Sequence, residues 1–134
     1  MGLAEKRAIN ELQTTKFPVW QKQVQEAAGV PMTLEVKWDT LAVPEYAHLY
    51  SDWEKVFITP LVATFKSISA DQMGKDALKA KFNKVVCQNV KDTAYGEAAI
   101  EFDGSTIVLD HSFANVDYYE ERTKYWIAAL ESKL

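Results

Sequence analysis

Residues 97–110, EAAIEFDGSTIVLD, decide how this sequence folds. Asp103-Gly104 is a strong hairpin signal, because a type I′ turn needs positive φ at both central positions and Asp-Gly tolerates it. A two-residue loop there sets Phe102 opposite Ser105, Ile100 opposite Ile107, and Ala98 opposite Leu109. The apolar residues then share one face. The other face pairs Glu101 with Thr106, Ala99 with Val108, and Glu97 with Asp110. Turn and hydrophobic pattern agree on the same facing.

Working outward, 83–90 reads as a strand, but Val85, Val86, Cys87 and Val90 do not alternate, so its facing stays open. Thr33 to Trp38 alternates, with Leu34, Val36 and Trp38 on one side. The rest is helical by periodicity. A first helix reaches Pro18, which opens a second carrying Phe17, Trp20, Val24, Ala27 and Ala28 and stopped by Gly29. A stripe from Tyr46 to Ile68 predicts one helix kinked at Pro60, or two end to end, beginning near Pro44. Ser69 and Gln72 form a capping box for a helix over 70–81, with Met73, Ala77 and Leu78 inward. A last helix, capped near Asn115, turns Val116, Tyr119, Thr123, Trp126, Ile127 and Leu130 inward. The order is ααβααβββα. It predicts a single α+β domain over 1–134, with a four-stranded, mostly antiparallel sheet and helices on one face.

With 134 residues, 48% apolar and 25% charged, the chain has the length and composition of one folded domain. The longest uncharged run, Val56 to Phe65, contains Pro60 and is too short for a bilayer, so no membrane association is expected. The first residues carry no apolar signal region, and Cys87 is alone, so no intrachain disulfide forms. A cytoplasmic location is the expectation. The net charge of −4 argues against nucleic acid. Its distribution is uneven. Asp92 to Glu121 holds eight acids and no Lys or Arg, whereas Gln72 to Lys91 holds five lysines against Asp76.

No Gly-rich nucleotide motif, GxSxG or HExxH occurs, so no cofactor is expected. Cys87 reads as a small buried apolar residue. Glu45, His48 and Asp52 share a helix face, but a carboxylate-bridged metal site needs a second copy, so no metal is expected. The four tryptophans fall on inward stripes and fill the core. The lysines around Lys75–Lys84 complement a helix C-terminus. Asp110 and His111 end a strand opposite Glu97, where two carboxylates need a positive neighbour or solvent.

The expected function is a non-enzymatic interaction module. Its acidic sheet face uses Glu97, Glu101, Asp110 and His111, flanked by Asp117 and Glu120 at the start of the last helix. It meets a basic protein partner, as monomer or homodimer. The competing expectation is a small-ligand-binding protein or small enzyme with a pocket between helices and sheet near His111.

Overall fold

Proline sets the character of both long helices. The computed structural model describes residues 2–42 and 52–134. In it α1 (Leu3–Glu11) and α2 (Phe17–Ala28) are joined without a break by a π turn, Leu12–Lys16. The Phe17 N–H reaches back five residues to the Leu12 carbonyl. The next nitrogen belongs to Pro18 and has no hydrogen, so the Gln13 and Thr14 carbonyls lose their helical donors. Gln13 and Thr14 are exposed, where solvent can take the place of the missing donors. Pro18 thus bends the hydrogen-bond pattern but does not separate two helices, as the sequence suggests it should.

The same arrangement recurs at Pro60. A π turn, Glu54–Ile58, runs into α4 (Thr59–Ile68), and the Thr59 N–H reaches back to Glu54. Lys55 and Val56 are left without helical donors, because Pro60 is the residue that would serve Val56. Here Val56, Phe57 and Ile58 are buried, so protein must do what solvent can do at Gln13 and Thr14. The expected helix start at Pro44, with Glu45 and His48, lies outside the described residues.

Helix α5 spans Gln72–Lys81, and its N-cap is Asp71, whose carboxylate accepts from Gly74 N at 2.8 Å. The expected capping box fails because Ser69 is engaged elsewhere. Its hydroxyl donates to the Ala28 carbonyl at the end of α2, 2.7 Å away. The helix is rotated from the expected facing. Leu78 is buried, but Met73 is 81% exposed.

The sheet has the order β1-β2-β4-β3, with β1 Thr33–Val36, β2 Lys84–Gln88, β3 Ile100–Asp103 and β4 Thr106–Asp110. β1 ends two residues early, and Trp38–Leu41 forms the short helix α3. β1 pairs parallel to β2 and β2 parallel to β4; only the β3–β4 hairpin is antiparallel. The sheet is therefore mixed and mostly parallel, which corrects the expected antiparallel meander. The chain leaves β2, crosses by the link 89–99 to the far edge, and returns as β4 into the gap. β2 and β4 become central strands. Val85 and Cys87 face the core, and Val86, on the open face, is screened by the strands on either side, which explains why the apolar pattern does not alternate.

The hairpin register is also shifted. Phe102 faces Ile107, Ile100 faces Leu109, and Asp103 faces Thr106, so the loop is Gly104-Ser105. Gly104 has φ of 59° and Ser105 has no positive φ, the pattern of a type II′ turn. Sliding the loop by one residue moves every partner by two, which keeps each side chain on its own face. The facing therefore matches expectation although the pairing does not.

Leu34, Val85, Ile107, Val36, Cys87 and Leu109 join Trp20, Val24, Phe57, Leu61, Phe65 and Trp126 in one contiguous core. The last helix, α6, runs Tyr119–Glu131 and packs on α4.

Candidate functional site

Of the residues expected to form an acidic sheet face, Asp110 and His111 are buried and the others are spread apart. Residue 99, not Glu97, stands opposite Asp110, whose N–H donates to the Ala99 carbonyl at 2.7 Å. Glu97 lies on a 3₁₀ turn, Gly96–Ala98. Glu101 is on the open face but ion-pairs with Lys91. On the same face Lys84 lies 3.5 Å from Glu35, and at the loop before α6 Asp117 lies 3.6 Å from Lys55. Two acids of the 92–121 block, Glu101 and Asp117, are thus paired with lysines, and no continuous acidic sheet face exists among the described residues.

Asp110 instead ties down the crossing link. Its Oδ1 accepts from Val90 N and Lys91 N, both at 3.0 Å, and its Oδ2 accepts from Gln88 Nε2 at 2.9 Å. Farther along, Ser112 N donates to Thr93 O, Asn115 Nδ2 to Ala94 O, and Trp126 Nε1 to Gly96 O. The link is thus hydrogen-bonded at intervals to β4, to the loop after it, and to α6.

His111 meets a group that the sequence reading missed. Arg122 is 2% exposed. Its Nη1 donates to Lys55 O at 3.1 Å and Val56 O at 3.4 Å, and its Nη2 to Asn115 O at 2.5 Å. These include the two carbonyls orphaned by Pro60. Arg122 lies four and eight residues before Trp126 and Leu130, on the same buried stripe, and that spacing is the signal that could have found it. Burial pulls the guanidinium down to about 10, which leaves it cationic at neutral pH.

Arg122 Nε donates to His111 Nε2 at 3.2 Å. The imidazole proton therefore sits on Nδ1, which donates to Ser112 O at 2.7 Å. Burial, then the Arg122 charge, holds the His111 pKa below its ordinary value of 6.5, although the Ser112 carbonyl and Asp110 oppose them. An unfolded chain takes up this proton near 6.5 while the folded chain resists it. Stability is therefore full above that pH and falls as pH drops below it. We expect the urea midpoint to fall between pH 7 and pH 5, and His111→Gln to flatten that slope. An unchanged slope in the variant would assign the acid sensitivity to other groups.

The ties that hold the link also shape a cleft of about 270 Å³ against α6. Gly96 packs so closely that a Cβ there would stand 3.1 Å from Arg122 Cα and Cγ. This contact brings Tyr95 and Glu97 beside Tyr118, Glu121 and Tyr125, which follow one another at helical spacing. The three tyrosines are 67%, 58% and 47% exposed. Glu97 and Glu121 have no ion-pair partner among the described residues. Arg122 enters the wall with its stem against Gly96, while its guanidinium points inward to the carbonyls and His111.

A wider groove of about 680 Å³ runs between α2 and α4. Its charges are mixed, with Glu26 and Glu54 facing Lys66 and Lys75, and Glu54 is already bound to Trp20 Nε1 at 3.0 Å. His111 lines neither cleft. Cys87 is buried in β2, and burial pushes its thiol far above the ordinary range. Among the described residues no three His, Cys, Asp or Glu side chains gather as metal ligands would, and no helix is long and apolar enough to cross a membrane. Compared with family models, with curated proteins and with solved structures, the chain matches none.

Proposed function

We propose that this protein is a non-enzymatic recognition module, and that it takes a cationic side chain of a basic protein partner into the cleft between the link and α6. The observation that carries the reading is the convergence of Tyr95, Tyr118 and Tyr125 with Glu97 and Glu121 on one concave surface. Tyrosine faces attract cations through the ring quadrupole, and carboxylates add Coulomb attraction. The cleft lies by the positive end of the α6 dipole, but Glu120 and Glu121 in its first turn outweigh that partial charge. In this reading the acidic surface lies at the cleft and not on the sheet face, with Glu97 kept, Glu121 added, and Asp110 and His111 as buried support behind it.

Heptalysine is a suitable probe. Its affinity should fall as salt rises, because exposed charges are screened over about 10 Å at 0.1 M. Glu97→Gln with Glu121→Gln should weaken binding by about tenfold together, at about 0.7 kcal/mol each, with the thermal melt unchanged. Binding that ignores both substitutions would place the contact elsewhere on the surface.

A further inference from the structure

We infer that the cation suited to this cleft is a quaternary ammonium, and specifically the trimethylated lysine side chain of a partner polypeptide. The inference rests on the cationic-ligand reading above and narrows it.

Its basis is the state of the acceptors around the cleft. A primary ammonium brings three N–H donors, each of which loses water on entry and needs an acceptor. Five backbone carbonyls along the cleft are already engaged. Ala94 O accepts from Asn115 Nδ2, Gly96 O from Trp126 Nε1 and Ala99 N, and Asn115 O from Arg122 Nη2 and Tyr118 N. Tyr95 O accepts from Ala98 N, and Tyr118 O from Arg122 N. What remains is the Asn115 Oδ1, three phenol groups and two exposed carboxylates, Glu97 and Glu121. This lining supplies aromatic rings and charge, and the carboxylates and phenols among its acceptors are exposed to water and not enclosed. A trimethylammonium has no N–H to satisfy and is weakly hydrated, so ring faces replace its water with little loss. A volume of about 270 Å³ admits such a head group with part of its stem but is small for a folded element. The open side, with three tyrosines half exposed or more, lets a polypeptide lie across the mouth.

The test titrates the full chain with Nα-acetyl-lysine N-methylamide, its Nε-trimethyl form, and the neutral tert-butyl isostere of that form, following tyrosine ring signals by NMR. The trimethyl probe should bind about fivefold more tightly than the unmodified one, and more tightly than the isostere. Tyr125→Leu should remove the preference and Tyr125→Phe should keep it, since the ring is the contact. Tyr125 is exposed, so folding is spared. Equal binding of lysine and trimethyllysine, still dependent on Glu97 and Glu121, would overturn this inference and leave the cationic reading standing. An isostere as tight as the trimethyl form would overturn both, as would no binding by any probe together with no glutamate-dependent binding of heptalysine. Free choline binding more tightly than the trimethyl-lysine probe would overturn the assignment to a polypeptide.

Discussion

Replacing Arg122 by Met should destabilise the protein by about 3 kcal/mol or more. The guanidinium is buried and donates to Lys55 O, Val56 O, Asn115 O and His111 Nε2. Met fills similar space and removes a buried charge, which offsets part of the loss. It leaves the Lys55 and Val56 carbonyls and an imidazole nitrogen without this donor, and Asn115 O with Tyr118 N alone; each unmade buried hydrogen bond costs about 1–3 kcal/mol. Arg122→Lys should recover only part of this, because one ammonium cannot reach acceptors on both sides of a planar fork. The structure also predicts a coupling. Pro60→Ala restores an N–H that can serve Val56 O, so Arg122→Met should cost about 1 kcal/mol less in that background. Urea unfolding of the four proteins in the cycle measures it. Strict additivity would show that Arg122 does not stand in for the proton missing at Pro60.

Trp126→Ala should cost about 3–5 kcal/mol. The side chain is fully buried in the core between α6 and the link, and its Nε1 donates to Gly96 O at 3.1 Å. Alanine leaves a cavity and removes one of the two donors to the Gly96 carbonyl at the base of the cleft. Trp126→Phe keeps much of the volume and loses the donor, so a cost of about 1–2 kcal/mol is expected. The 3₁₀ turn carrying Glu97 should loosen in both, and probe binding should weaken before the fold is lost. Far-UV circular dichroism in urea gives the stabilities. A cost below about 1 kcal/mol for the alanine variant would mean that the core closes over the gap.

Much of the candidate site was visible in the sequence as residues and little of it as geometry. The acid-rich block after Asp92 does contain Glu97 and Glu121, and helical spacing does put Tyr118, Glu121 and Tyr125 on one side of α6. That Tyr95 and Glu97 stand opposite them depends on where the link runs. This is set by Asp110, Asn115 and Trp126 through hydrogen bonds between residues distant in sequence. Asp110 looked like a surface acid because a carboxylate beside an exposed turn reads that way. Only the link's unpaired N–H groups give it a reason to be buried.

Periodicity alone determined which faces of α2, α4 and the hairpin turn inward, since side-chain direction follows the local backbone repeat. It fixed Trp126, Leu130, Ile107 and Leu109 as core, and Gly104 as the turn residue with positive φ. It could not choose between hairpin registers that differ by two, because both keep every residue on its own face. Nor could it order the strands. Which strand fills the gap beside β2, and in which direction, depends on contacts across long stretches of chain, which no short window contains. Tertiary structure alone decided that Arg122 should be buried. Two carbonyls left open by a proline some sixty residues earlier needed a donor, and the packing of α6 on α4 brought one to them.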